Sequence, residues 1–172
     1  VKTVPAPSVG DDKVLIRVAA CAICGSDTHT YETDKDGYIL FSGLAKFPCI
    51  PGHEFSGVVE KVGKGVVGLK KHDKVAVESV MWCGKCQSCR SGSPNQCRHV
   101  ELMGLSSDGA FAEYVAVPER FCWKIDNLTE RYSEREVFDL GAVIEPVGCA
   151  YNGLFVAGGG FQCRLHKHPG GE

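Results

Sequence analysis

No stretch of the 172 residues comes near the roughly 18 consecutive apolar residues that a bilayer-spanning helix needs. The opening run, V-K-T-V-P-A-P, lacks the apolar core of an export signal. Neither sign of charge is in excess. The chain has 19 Lys and Arg against 21 Asp and Glu, a net charge of −2, so no basic field advertises nucleic acid or an acidic membrane. No internal repeat is found. With 44% apolar and 23% charged residues, composition also excludes a disordered or low-complexity polymer. Length suits one domain better than two. Helical periodicity is scarce through the first 130 residues.

What is abundant is glycine, 21 residues, and cysteine, ten. The glycines suggest a turn-rich, mainly β chain. Strands are expected at Lys13–Ala20 (K-V-L-I-R-V-A-A), Glu54–Val62, Lys74–Val80 and Ala110–Val117, the last an alternation closed by Pro118. Gly25–Tyr31 has room for one helical turn. Residues 32–51 form a long loop carrying Tyr38, Phe41 and Phe47. Val147, Ala150, Tyr151 and Leu154 fall at helical spacing, with Pro146 in a first turn and Gly158–Gly160 as a stop. Gln162–Glu172 shows no period and reads as a tail.

The cysteines are clustered rather than scattered. Cys83, Cys86, Cys89 and Cys97 place four thiols in fifteen residues, with Gly84, Gly92 and Pro94 for sharp turns. A chain of this length needs no disulfide staples, and the spacing favours thiolate metal ligands in a reducing compartment. Four sulfurs make a closed tetrahedral zinc site that stabilises rather than reacts. An iron–sulfur cluster is the rival reading, although the usual fourth spacing and trailing proline of that motif are missing. A nucleic-acid zinc finger would need a base-reading helix after the lobe, and none follows.

A second constellation is more dispersed. Cys24 stands in C-G-S-D after the first strand, His53 and Glu54 open another, and Glu145 precedes Pro146. A thiolate, an imidazole and one or two carboxylates suit an open zinc site, with Ser26 and His29 available to move a proton and Asp27 to orient a ligand. Each residue also has a plainer reading. Cys24 can be an inert thiol, His53 a satisfied loop histidine, and Glu145 a carboxylate favoured at a helix start. Cys21 and Cys24 also have redox-pair spacing, without a surrounding βαβ unit. Cys21, Cys49, Cys122 and Cys149 read as buried or free thiols. Cys163, His166 and His168 are stray metal donors on a solvated tail. Gly63–Gly68 (G-K-G-V-V-G) matches the dinucleotide fingerprint by letter, but a strand follows instead of a helix, so it reads as a turn.

Five segments together resemble the zinc-containing medium-chain alcohol and polyol dehydrogenases. They are V-L-I-R-V-A-A-C-A-I-C-G-S-D-T-H, P-G-H-E-F-S-G-V-V, the four-cysteine lobe, D-G-A-F-A-E-Y-V and I-E-P-V-G-C-A. The resemblance runs over about residues 1–160. It implies a GroES-like barrel at residues 1–145, with its structural-zinc lobe at 81–100. Residues 146–160 would then start the helix that leads to a nucleotide-binding domain, and 161–172 would be an irregular tail. It further implies a catalytic zinc on Cys24, His53 and Glu54 or Glu145. Cys83, Cys86, Cys89 and Cys97 would hold the structural zinc, with Ser26 and His29 as the proton relay.

The implied activity is oxidation of a secondary alcohol or polyol with hydride transfer to NAD or NADP, in a cytoplasmic homo-oligomer. G-S-D and E-P point toward polyol, butanediol or threonine relatives, and the loop before His53 toward inositol or inosose relatives. Two departures stand out. The chain stops before any strand–GxGxxG–helix unit, so it is expected to be a catalytic-domain fragment with no cofactor-binding residues of its own. As it stands, such a fragment would be a zinc-binding module without dehydrogenase activity. His72 also occupies a position where relatives usually have glycine.

Overall fold

The structure, a computed structural model, describes residues 1–156. The expected tail at 161–172, with Cys163, His166 and His168, lies outside the described residues. In chain order the strands are β1 (Lys13–Ala22), β2 (Glu54–Val62), β3 (Lys74–Val77), β4 (Val80–Met81), β5 (Glu101–Leu102), β6 (Tyr114–Pro118) and β7 (Cys122–Lys124). The α-helices are α1 (Gly25–His29), α2 (Gln87–Arg90), α3 (Glu134–Ala142) and α4 (Ile144–Tyr151). A π-helical turn, Asn152–Val156, follows α4.

Five strands form one antiparallel sheet in the order β6-β1-β2-β3-β7, and β4 pairs with β5 beside the cysteine lobe. The valine-rich run of β2 follows from its place. It is flanked on both sides, and Glu54–Val59 is buried throughout. One face carries the main core around Ile16, Phe55, Val75, Val117 and Phe121. A smaller cluster of Ala76, Ile125 and Val137 includes a residue of α3. Helix α3 docks on β2 where the Ser56 hydroxyl donates to the Phe138 carbonyl at 2.6 Å. Gly141 allows the approach, since a Cβ there would meet the Ser56 side chain at 2.7 Å.

Several boundaries depart from the sequence expectation, each for a physical reason. The run Lys74–Val80 breaks at Glu78 and Ser79 because other partners take their backbone. Glu78 N–H donates to the Phe121 carbonyl at 2.9 Å, and the Ser79 carbonyl accepts from Met103 N–H at 3.1 Å. The alternation from Ala110 contributes to the sheet only from Tyr114. Gly109, Ala110 and Phe111 N–H groups instead bind the carbonyls of Ile50, Gly52 and Pro51 at 2.7–2.9 Å. Helix α4 begins two residues earlier than Pro146 and gives way to the π turn before Leu154. Helix α3 was not expected, although its capping box, Ser133 with Glu136, stands in the sequence. The glycine run 63–68 is a turn between β2 and β3, as read.

Two backbone positions generate opposite predictions. Gly57 lies in β2 so close to β1 that any Cβ would collide with the Arg17 carbonyl. Gly57→Ala should therefore lower unfolding stability by about 1–3 kcal/mol, the usual cost of overpacking, as read by chemical denaturation. His72 adopts φ 77°, a left-handed conformation that suits glycine. His72→Gly should raise stability by about 0.5–1 kcal/mol in the same assay, as strain relief outweighs the added chain entropy.

Acid should loosen α3. Glu136 is held below the usual carboxylate range by hydrogen bonds from the Ser133 hydroxyl and backbone N–H. Its contribution is present above the unfolded-state pKa and is lost as pH falls through the lowered folded value. Ser133→Ala should flatten that acid limb in a melting series against pH.

Candidate metal centres

The cysteine lobe is built locally. Cys83 follows β4, Cys86 caps α2, Cys89 lies within it, and Cys97 follows a 3-10 turn begun by Pro94. All four sulfurs lie within 4.8 Å of one another. The Cys86–Cys89 and Cys86–Cys97 separations are 3.5 and 4.0 Å. A tetrahedron with zinc–sulfur bonds of about 2.3 Å has edges of about 3.8 Å, so the donor set fits a closed tetrahedral ion. Backbone N–H groups also point at sulfur. Lys85 and Cys86 donate to Cys83 at 3.4 Å, and Cys83 and His99 donate to Cys97 at 3.3 Å. Such donors stabilise thiolates. The N–H groups of Cys89 and Arg98 bring the Cys86 pKa down to about 6, whereas burial and then the Cys86 thiol push Cys89 up to about 12. No disulfide joins the described cysteines.

The second site comes from sheet register. Ala22 at the end of β1 pairs with Glu54 at the start of β2, so Cys24 just past one strand meets His53 just before the other. Their donor atoms and a Glu54 oxygen lie within 4.8 Å of one another. The approach of the 50–52 segment depends on Gly52, at φ 93°, whose backbone lies against Gly104. Asp27, buried in α1, serves both neighbours. Its Oδ2 accepts the Cys24 N–H at 2.9 Å, and its Oδ1 faces His53 Nδ1 at 3.6 Å. Ser26 Oγ lies 3.3 Å from His53 Nε2.

Cys24, His53 and Glu54 open on a cavity of about 320 Å³ lined also by Met103, Leu105, Glu145 and Cys149. Glu54 and His53 are each only 7% exposed. Among the described residues no Lys or Arg pairs with Glu54 or Glu145. Among the described residues His53 Nδ1 and Asp27 Oδ1 have no hydrogen-bond partner. A buried carboxylate beside a thiol, with no cation, is costly in this state. A thiol, an imidazole and a carboxylate converging there fit a divalent ion such as zinc.

Not every residue picked from the sequence joins the triad. Glu145 lines the same cavity but does not belong to the three-donor group. It accepts from the Ser79 hydroxyl at 2.9 Å instead. His29 is exposed, with Nδ1 2.6 Å from Glu32 Oε2. It shares α1 with Ser26 at i,i+3 spacing, so the two lie on one helix face. Cys21 is not poised for redox work, because burial and then Asp27 push its pKa up to about 12. Sequence reasoning missed Ser79, for which no motif gave a signal. Cys149, read as a buried or free thiol, is free, and its i,i+4 spacing from Glu145 places it on the same face of α4. Its Sγ lies 3.9 Å from Glu145 Oε1.

The long loop at residues 32–51 is anchored at several points. Thr33 bridges Ile39 around Gly37, and Lys46 N–H donates to the Leu105 carbonyl at 2.8 Å. Leu105 is a wall of the cavity, so the loop is anchored beside it.

Comparison with known proteins agrees with this architecture. The model of the alcohol dehydrogenase GroES-like domain matches residues 10–127. The scyllo-inosose 3-dehydrogenase of Thermotoga maritima is 40% identical over 169 residues, covering 94% of this chain and 43% of that protein. Among solved structures, a Thermotoga maritima protein assigned as an alcohol dehydrogenase superposes with a TM-score of 0.88 at 40% identity. That match covers 92% of this chain and 42% of the other. A cobalt- and zinc-bound thermostable alcohol dehydrogenase of Pyrobaculum aerophilum gives a TM-score of 0.65 at 28% identity, over 82% and 38%. The chain spans about two fifths of the length of these proteins. With a folded β unit, a four-cysteine lobe and a Cys-His-Glu triad in place, this chain belongs to the alcohol dehydrogenase GroES-like domain family.

Proposed function

We propose that this chain is the catalytic unit of a zinc-dependent dehydrogenase that oxidises a secondary alcohol or polyol, with NAD or NADP as hydride acceptor. The observation that carries this reading is the triad. Cys24, His53 and Glu54 converge within 4.8 Å on the floor of a cavity large enough for a small polyol. The inosose dehydrogenase relative supports a polyol-like substrate. Residues 1–145 would carry the catalytic unit, and α4 would lead toward the nucleotide-binding part.

Zinc held by the triad would supply a Lewis acid for the substrate hydroxyl. Asp27 keeps His53 and Cys24 in register by facing one and bonding the backbone of the other. Ser26 Oγ would accept the substrate hydroxyl's proton while releasing its own toward His29. His29, on the same face of α1 and paired with Glu32, passes it to solvent. Cys83, Cys86, Cys89 and Cys97 would hold a second zinc in a closed set with no open position for substrate. Free thiols at these positions suit a reducing compartment such as the cytoplasm. Among the described residues no helix is long and apolar enough to cross a membrane. The working enzyme is proposed to be a homo-oligomer acting on a small molecule rather than on nucleic acid.

Native mass spectrometry of the zinc-loaded chain should show two equivalents. Cys89→Ser should remove one and His53→Gln the other, each lowering the melting temperature of the zinc-loaded chain. A single zinc lost only through the lobe would reduce the chain to a structural zinc module. In enzyme that turns over a polyol, Ser26→Ala should cut kcat by about 100-fold or more without changing zinc content, the usual range for a lost proton-transfer group. Unchanged kcat would remove Ser26 from the relay.

A further inference from the structure

Two carboxylates face the cavity, and only one of them stands with the thiol and the imidazole. Glu54 joins Cys24 and His53, while Glu145 is drawn to the wall by Ser79. Ser79 is well placed to hold it. The residue is 4% exposed and sits in the break between β3 and β4. Its carbonyl is pinned by Met103, and the N–H of the preceding residue is pinned by Phe121. The hydroxyl therefore issues from a rigid backbone. A buried hydroxyl needs a partner, and Glu145 Oε1 is the acceptor given to it here. Cys149, one turn along α4, offers its thiol to the same oxygen at 3.9 Å. Glu145 lies in the first turn of α4, an element separate from those that carry the triad.

We propose that Ser79 is a positioning residue that holds Glu145 on the cavity wall, so that the resting metal set is Cys24, His53 and Glu54 with Glu145 in reserve. This rests on the reading of the triad as a metal site. A neutral hydroxyl is suited to the task. It fixes one oxygen of the carboxylate without cancelling its charge, so the carboxylate stays competent to bind a cation once released. A lysine or arginine in its place would have neutralised Glu145 and removed it from metal chemistry. The residue at position 79 thereby decides which of two carboxylates serves the ion.

Cobalt(II) tests this in the full chain, after zinc has first filled the four-cysteine lobe. The readouts are the visible ligand-field bands and the cobalt dissociation constant at the second site. Wild type, Ser79→Thr and Glu145→Gln should give the same bands, because none of them alters the resting set. Ser79→Ala should shift the bands and tighten cobalt binding by about tenfold, as the freed carboxylate enters the set. The double variant with Glu145→Gln should return to wild-type bands, which separates ligand entry from a general disturbance.

The proposal is overturned if Ser79→Ala leaves both bands and affinity unchanged with cobalt bound, a result that leaves the metal reading intact. It is equally overturned if Glu145→Gln alone shifts the bands, since Glu145 would then already be a ligand. That second arm tests the ligand set even if Ser79→Ala fails to fold, and Ser79→Gly, which also lacks the hydroxyl, then takes its place with the same expected shift and tightening. No cobalt at the second site would overturn the metal reading together with this inference.

Discussion

The antiparallel register between β1 and β2 is the constraint on which the rest depends. Pairing Ala22 with Glu54 brings residues thirty positions apart into one donor set, which no local motif could achieve. The register is defended from several sides. Gly57 leaves no room for a side chain against β1, and two register shifts, one extra residue in β2 opposite Leu15/Ile16 and one in β1 between Val18 and Ala20, adjust the pairing. Helix α3 bonds to Ser56 in the middle of β2. Because side chains alternate along a strand, a slip of one residue would turn Glu54 away from Cys24 and bury the wrong face. Folding of the sheet and assembly of the candidate active site are therefore one event.

The two candidate centres contrast in how their donors are brought together. In the cysteine lobe, a span of fifteen residues and its own N–H groups orient the sulfurs. In the triad, α1 contributes the thiol at its cap, the Gly52 segment contributes the imidazole, and β2 contributes the carboxylate. Asp27 ties the first two together. A closed set built locally suits a structural role, and an open set built across the sheet suits a site with room for a substrate.

Much of this was legible in the sequence where one signal sufficed. The bounds of β2 and the start of β1 follow from apolar patterning, and the lobe follows from spacing. The glycine run was rightly read as a turn because the residues after it carry strand rather than helix character. What escaped depended on partners far away in the chain. Ala110–Ala112 alternate like a strand, yet the backbone there is taken up by the segment before His53. Glu78 and Ser79 look like a continuation of β3, but Phe121 and Met103 claim their backbone groups. The helix α3 was the avoidable omission, since Ser133 and Glu136 announce it locally. Glu145, read from the sequence as a candidate metal ligand alongside Glu54, lines the cavity outside the three-donor group; its hold by Ser79 was invisible, because a serine in a strand-like run carries no motif.

The Gly52–Gly104 contact has a consequence for how this scaffold can diversify. Backbone lies directly on backbone there, with Gly109 packed against the same segment, so none of the three positions can accept a side chain without moving its neighbours. The seat of His53 is consequently closed to mutational exploration. The loop at residues 32–50, anchored through Lys46 and Cys49 to Gly104 and Leu105, stands on that same seat from outside. Changes in its exposed aromatic residues, Tyr38 and Phe47, alter the surface beside the cavity while the imidazole beneath stays fixed. Selection can thus retune what enters the cavity without renegotiating the ligands at its floor.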